Sequence, residues 1–112
     1  MNKYNAHKIT VDGNKFDSKK EALRYEELKL LQRAGAISDL QRQVKFEIVP
    51  QCKTVEGRIA QARYYVADFT YKERGLLVVE DVKGYKKGAG YELFRLKAAL
   101  MRWVHGIDVK EV

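Results

Sequence analysis

Three stretches of the chain have the residue pattern of β-strands: one alternates apolar and polar residues, and two are rich in residues that favour strands. In QVKFEIVP, Val44, Phe46 and Ile48 alternate with charged residues, which is typical of a half-buried strand that Pro50 ends. RYYVADFTY and LLVVEDVKG are rich in aromatic and branched residues and predict two further strands. The KERG segment between them predicts a tight turn, so these two strands should form a hairpin.

Two other segments have the period of an amphipathic helix. Residues 17–34 place several leucines on a broad stripe, and Gly35 suits the position after a helix end. Residues 91–105 predict a second helix. Its apolar face comprises Leu93, Leu96, Leu100, Trp103 and Val104.

The order of the main elements is helix, three strands, helix and strand, the last strand being IDVKEV. Asp12-Gly13, between short β-prone runs, predicts a type I′ hairpin near the N-terminus. No repeat or linker divides the chain, so residues 1–112 are expected to form one domain. The predicted fold is α/β, with a four-stranded mixed sheet flanked by helices and a parallel crossover at its end.

Charge and cysteine content narrow the setting in which the protein works. Lys and Arg total 22 against 15 Asp and Glu, and the formal charge of +7 favours an anionic partner such as a phosphate backbone. Cys52 is the only cysteine, and MNKYNAHKIT lacks the apolar stretch of a secretory signal. No apolar run is long enough to cross a bilayer. We therefore expect a cytoplasmic protein with no membrane contact.

Three charged residues are expected to share one face of the hairpin. If the turn is centred in the middle of KERG, Asp68 lies opposite Val79. Side chains alternate along a strand, so Asp81 and Lys83 project to the same side as Val79. The two aspartates then become diagonal neighbours, roughly 7–8 Å apart at the backbone, which suits one shared cation.

The residue types in this group suit metal-assisted phosphodiester hydrolysis. Asp68 and Asp81, with the main-chain carbonyl of Val82, offer the hard oxygen ligands that Mg²⁺ prefers. Lys83 would orient or deprotonate the attacking water, or offset charge in the transition state. The alternative is an ordinary surface ion cluster, although unpaired charge is costly on strands so rich in apolar residues.

VADF followed by VEDVKG, within this order of elements, resembles the PD-(D/E)xK nuclease superfamily. KFDSKKEALRYEELKLL, YYVADFTY and VVEDVKGY are similar to a family of small phage and prophage proteins assigned to it. The resemblance implies a restriction-endonuclease-like core, Asp68 and Asp81 as metal ligands, and Lys83 as the catalytic lysine. Ala67 replaces the usual proline before the first acid.

Glu21 is a fourth candidate for the catalytic and metal site, because the family's first helix often supplies a carboxylate. The rival interpretation is structural: Ser18-Lys19-Lys20-Glu21 has the sequence of a capping box, in which Glu21 would bond back to the Ser18 amide. One carboxylate cannot serve both roles fully.

Four basic residues are candidates for contact with nucleic acid. Lys86 and Lys87 lie in GYKKGAGY, which predicts either a mobile phosphate-binding loop or a simple flexible connection. Arg95 and Lys97 lie on the second helix and either touch the DNA backbone or are solvated helix charges.

These observations lead to an expected function. We expect a Mg²⁺-dependent DNA endonuclease, with Mn²⁺ able to substitute, encoded by a phage or prophage. Its expected substrates are branched replication or recombination intermediates, and its expected state is a homodimer with paired sites. Two alternatives are a non-catalytic nucleic-acid-binding module and a nuclease subunit that is active only with a partner protein.

Overall fold

The computed structural model describes residues 9–112. The N-terminal hairpin and first helix are β1 (Ile9–Val11), β2 (Asn14–Phe16) and α1 (Lys19–Arg33). The middle of the chain comprises β3 (Ser38–Val49), β4 (Cys52–Lys53), β5 (Ile59–Ala60), β6 (Arg63–Glu73) and β7 (Leu76–Asp81). The chain continues with α2 (Gly88–His105) and β8 (Lys110–Glu111).

The central sheet has four strands in the order β3-β6-β7-β8. β6 pairs antiparallel with both β3 and β7. β7 pairs parallel with β8, and α2 connects these two strands. The predicted mixed α/β fold, with a four-stranded mixed sheet, two helices and a small N-terminal hairpin, is therefore confirmed.

Local sequence signals account for the N-terminal hairpin and α1. Asp12 and Gly13 both have positive φ, 51° and 79°, as a type I′ turn requires. The Ser18 hydroxyl caps α1 by accepting the Glu21 N–H at 3.1 Å. Gly35, with φ of 83°, follows the end of the helix.

The β6–β7 turn lies one residue later than predicted. Glu73 pairs with Leu76, so the turn consists of Arg74 and Gly75, with φ of 54° and 77°. Gly75 supplies the left-handed conformation that the second position of a type I′ turn favours. The predicted pairing of Asp68 with Val79 is therefore wrong, because Val79 faces Thr70.

This error moves the register by two residues, and a shift of two leaves every side chain on its original face. Phe69 pairs with Glu80, so the same register places Asp68 opposite Asp81. The two aspartates are direct cross-strand neighbours rather than diagonal ones.

The two helices cover opposite faces of β7. Val78 and Val82 pack against the α1 core, whereas Val79 belongs to the α2 core. The buried residues of the α1 core are Phe16, Ala22, Leu28, Ile37, Phe69 and Tyr71. Those of the α2 core are Ile48, Tyr65, Ala67, Val79, Phe94 and Met101.

β3 and β6 form a two-stranded ribbon, and at its midpoint the β6 side chains that enter one core give way to side chains that enter the other. Ala67 belongs to the α2 core and Phe69 to the α1 core, although side chains two apart on a regular strand share a face. Opposite this point, on β3, Gln43 has a left-handed backbone with φ of 52°. The ribbon register places Gln43 across from Asp68. Asp68 therefore lies where the two cores meet.

Two other predicted boundaries need correction, and one small hairpin was not predicted. α2 begins at Gly88, three residues before the predicted start, so part of GYKKGAGY is helical rather than loop. β8 covers only Lys110–Glu111 of IDVKEV. β4 and β5 form a small hairpin that was not predicted. Within residues 9–112, none of the helices has the length and apolar character needed to span a bilayer.

Candidate active site

Asp81 and Lys83 meet at the end of β7, as the alternation of the strand predicted. Lys83 Nζ lies 2.9 Å from Asp81 Oδ1. The other oxygen, Asp81 Oδ2, accepts a hydrogen bond of 2.6 Å from the buried Tyr65 hydroxyl. The Lys83 ammonium also lies 3.6 Å from the centre of the Phe94 ring on α2. Both side chains are thus held by groups of the α2 core.

Asp68 is held beside this pair by the backbone of the strand end. Its Oδ2 accepts the Val82 N–H at 2.8 Å, and its Oδ1 lies 3.5 Å from the Gln43 amide nitrogen. Burial and, next, the charge of Asp81 raise the pKa of Asp68 from 3.8 to about 7. Two carboxylates that resist ionising together favour a cation between them.

Glu21 projects from the first turn of α1 toward the same place. Its side chain is buried, and its Oε1 lies 3.4 Å from the Gln43 amide nitrogen. Burial, followed by the charge of Asp17, raises the pKa of Glu21. One half of the capping box forms, from the Glu21 N–H to Ser18, while the Glu21 carboxylate reaches Gln43.

Main-chain contacts fix the segment that carries Asp81 and Lys83. Val112 donates its N–H to the Asp81 carbonyl at 3.0 Å and accepts the Lys83 N–H at 2.9 Å. Lys20 donates to the Lys83 carbonyl. The Val82 N–H is used by Asp68, and the metal-ligand role of the Val82 carbonyl stays a prediction.

The chemistry of the donor set fits a hard divalent cation. Glu21, Asp68 and Asp81 supply carboxylate oxygens, and the pKa of Glu21 and of Asp68 is raised, as expected where negative charge is crowded and desolvated. Within residues 9–112, however, no three His, Cys, Asp or Glu side chains are already close enough to hold a metal ion together. The Gln43 amide lies between Glu21 and Asp68, so binding through all three requires this side chain to turn aside.

The four predicted nucleic-acid contacts differ in their distance from this cluster. Lys97 lines a pocket of about 210 Å³ together with Asp81 and Lys83. Lys87 lines an adjoining pocket that also contains Lys83. Lys86 faces Glu111 at 3.9 Å, and Arg95 faces Glu92 at 3.7 Å. Lys97 and Lys87 therefore border the cluster, whereas Lys86 and Arg95 are engaged by nearby carboxylates.

Two residues of the site were not identified from the sequence. Tyr65 was assigned to the sheet alone, yet its hydroxyl holds Asp81. Gln43 was assigned only to a strand, yet its amide reaches both Glu21 and Asp68. The alternation of β6 signals that Tyr65 is buried, which requires a partner for its hydroxyl. The left-handed conformation of Gln43 has no comparable signal, since glutamine is not a residue that favours it.

A buried ion pair on the α1 face was also missed. Arg24 makes two hydrogen bonds to Glu80, at 2.9 and 2.7 Å, and the Tyr71 hydroxyl donates to the same carboxylate. Burial alone would raise the pKa of Glu80, but the bonds from Arg24 and Tyr71 lower it overall. Glu80 is therefore a structural carboxylate beside the site.

The fold and the cluster together define an α/β protein whose central sheet carries one aspartate on β6, a second at the end of β7 and a lysine two residues beyond it. Residues 1–104 match the family described as "Protein of unknown function (DUF1064)". Because the match covers most of the 112 residues, the chain belongs to this family. No curated protein matches the chain.

Proposed function

We propose that the protein is a metal-dependent DNA endonuclease of the PD-(D/E)xK type. The observation that carries the proposal is the contact of 2.9 Å between Lys83 and Asp81, with Asp68 opposite on the neighbouring strand. The order α1, β3, β6, β7, α2 and β8 supports a restriction-endonuclease-like αβββαβ core. The raised pKa of Asp68 supports a role for that carboxylate in binding a cation rather than in a surface ion pair.

The residues of the chain have distinct roles in this proposal. Asp68 and Asp81 hold Mg²⁺ or Mn²⁺, with Glu21 and the Val82 carbonyl as further oxygen ligands. When bound, the ion polarises the scissile phosphate and lowers the pKa of water. Lys83 orients the attacking water and offsets the charge that develops on the phosphate. Tyr65 keeps the Asp81 carboxylate turned toward Lys83.

The substrate is DNA, on the grounds of charge and of the lysines beside the cluster. The chain carries a formal charge of +7, and Lys87 and Lys97 border the pockets next to Lys83. Contacts between lysines and phosphates carry no base sequence information, which favours reading of DNA shape over sequence. We therefore propose branched replication or recombination intermediates of a phage, cut by a homodimer in the bacterial cytoplasm.

A cleavage assay tests the proposal directly. Linear, single-stranded, flapped and four-way-junction DNA are incubated with the protein in Mg²⁺, in Mn²⁺ and in EDTA. We expect metal-dependent cleavage, strongest on branched DNA, and a loss of about 100-fold or more in Asp81→Asn and in Lys83→Met. Asp39→Asn, which removes an exposed carboxylate on β3, should cut as the wild type does. Equal cleavage by wild type and Asp81→Asn would rule out this site.

The assay also separates the two alternatives. A nucleic-acid-binding module would bind the junction equally in EDTA and in Mg²⁺, measured by fluorescence anisotropy, and would not cut it. A subunit that needs a partner would be inert alone and would gain activity, dependent on Asp81, when host or phage extract is added.

A further inference from the structure

A stripe of large apolar side chains on α2 faces solvent. Leu93, Leu96 and Trp103 are exposed by 52%, 59% and 85%, and Leu100 is only half-buried. Their spacing of three, four and three residues is that of the a and d positions of a coiled coil. Phe94 and Met101, on the other side of α2, fill the α2 core. The stripe is therefore a second apolar face, which the described part of the chain covers in part only at Leu100, where that side chain packs against the α2 core.

The stripe adjoins a groove that enlarges the apolar surface. A cavity of about 580 Å³ runs between α2 and the ends of β3 and β6, and its lining includes Leu93, Leu96 and Leu100 from the helix with Ile48, Val49 and Tyr64 from the strands. Exposed tryptophan and leucine beside a groove are typical of protein interfaces rather than of free surface.

We propose that this face pairs with the same face of a second copy of the chain, α2 against α2 in parallel and in register. Leu93, Leu96, Leu100 and Trp103 of each copy would then form the shared seam. The inference rests on the α2 surface and does not depend on nuclease activity. It adds an interface and an orientation to the homodimer of the proposed function.

The charges that flank the stripe favour the parallel arrangement. Glu92 precedes the first a position and Lys97 follows the first d position, so they occupy g and e positions. In a parallel pair, Glu92 of one copy lies beside Lys97 of the other, and the pair forms twice. In an antiparallel pair with Leu96 opposite Leu100, the two copies of Lys97 approach each other and repel. Exposed ion pairs add little affinity, so these charges set orientation more than strength.

The parallel arrangement has a consequence for the candidate site. Leu93 and Lys97 also line the small pocket with Asp81 and Lys83, so the site lies beside the first half of α2. In the dimer Lys97 contacts Glu92 of the second copy, and Lys87, which lines the adjoining pocket, is then the lysine that contacts DNA. Pairing the helices in parallel brings both sites to the same end of the dimer, where both can face one DNA molecule.

Sedimentation velocity over a range of concentrations tests the interface. We expect a dimer for the wild type and, for Leu96→Glu, a dissociation constant raised by about 30-fold or more, because a charge would be buried in the seam. Leu30→Glu is the matched control, since Leu30 is 60% exposed on α1 and lies outside the stripe. Circular dichroism melting confirms that both variants fold. A monomeric wild type at all concentrations, or equal weakening by both variants, would overturn the proposal.

Cysteine cross-linking tests the orientation in a Cys52→Ser background. A parallel pair predicts that Leu93→Cys and Trp103→Cys each form a disulfide-linked dimer alone under mild oxidation. An antiparallel pair predicts cross-linking only when the two variants are mixed, and that result would overturn the parallel assignment.

A charge exchange tests the orientation independently of cysteine. Glu92→Lys and Lys97→Glu should each raise the dissociation constant by about two- to fivefold, and the double variant should restore it. Additive weakening in the double variant would contradict the proposed contact between Glu92 and Lys97.

Discussion

Glu80 and Asp81 are consecutive on β7 and point to opposite faces of the sheet. The carboxylates on the two faces differ in their partners and in the direction of their pKa shifts. On the α1 face, Glu80 is fully buried and receives hydrogen bonds from Arg24 and Tyr71. Its pKa is lowered, so its charged form is stabilised by the fold. On the α2 face, Asp81 lies opposite a second aspartate, and the pKa of that residue, Asp68, is raised to about 7.

Under the proposed function, the difference separates a structural carboxylate, Glu80, from the carboxylates proposed to bind the metal ion. A buried carboxylate with an arginine partner needs nothing from outside the protein. Asp68 and Asp81 lie opposite each other, and Lys83 contacts Asp81, so the pair keeps an excess of negative charge that a divalent cation would neutralise. Burial of an acidic residue alone therefore does not identify a site; the balance of charge around it does.

The largest expected effect comes from removing the charge of Glu80, the carboxylate that is paired with Arg24. Glu80→Gln keeps the side-chain volume but leaves Arg24, which is only 20% exposed, without its partner charge. We expect a loss of about 3–5 kcal/mol in the free energy of unfolding, measured by urea denaturation. Glu27→Gln removes the exposed partner of Arg24 and should cost less than about 0.5 kcal/mol. Similar losses in both variants would mean that Glu80 is not the partner that matters.

The second effect concerns the protonation of Asp68, opposite Asp81, and depends on pH. The pKa of Asp68 rises from 3.8 to about 7 on folding, so the folded state binds the proton more tightly than the unfolded state. This contribution is fully present below pH 3.8 and is lost as pH rises through about 7. Relative to Asp68→Asn, the wild type in EDTA should lose about 2 kcal/mol between pH 4 and pH 8, allowing for partial exposure.

Urea denaturation at several pH values measures this difference, with Asp39→Asn as the control that should show no such trend. A stability difference between wild type and Asp68→Asn that does not change with pH would contradict the raised pKa. Under the proposed function, adding Mg²⁺ at pH 8 should stabilise the wild type and leave Asp68→Asn unchanged.

The smallest expected effect comes from removing the Tyr65 hydroxyl, which contacts Asp81. Tyr65→Phe removes the hydroxyl that donates to Asp81 at 2.6 Å and should cost about 1 kcal/mol of stability. If Tyr65 positions Asp81, the variant should also need a higher Mg²⁺ concentration for half-maximal cleavage. Tyr64→Phe, on an exposed neighbour, is the control for both measurements. A stability loss with an unchanged Mg²⁺ requirement would assign Tyr65 to packing alone.

The sequence predicted the shared face of the site because alternation along a strand survives an error in register. The turn was placed one residue too early, which moved the pairing of Asp68 from Asp81 to Val79. Gly75 was the signal for the correct turn, in the same way as Gly13 in the first hairpin. The capping serine of α1 was recognised for the same reason, since its effect is local.

The change from one core to the other along β3 and β6, at Gln43 and Asp68, could not be predicted from local sequence signals. It depends on how two helices divide one ribbon between them, which is a property of tertiary packing. The same holds for the pair of Arg24 and Glu80, whose members lie far apart in the sequence. The α2 start was misjudged because the glycines at its N-terminus have low helix propensity and favour a loop.

The Arg74-Gly75 turn also bears on the order in which the chain folds. A hairpin closed by two residues forms in about 1–10 μs, well before distant segments meet. β6 and β7 would therefore bring Asp68 and Asp81 together early, and Glu21, on α1, would join them only when the helix docks. Repulsion between the two aspartates then opposes an early folding step, so protonation of Asp68 in mild acid should accelerate refolding.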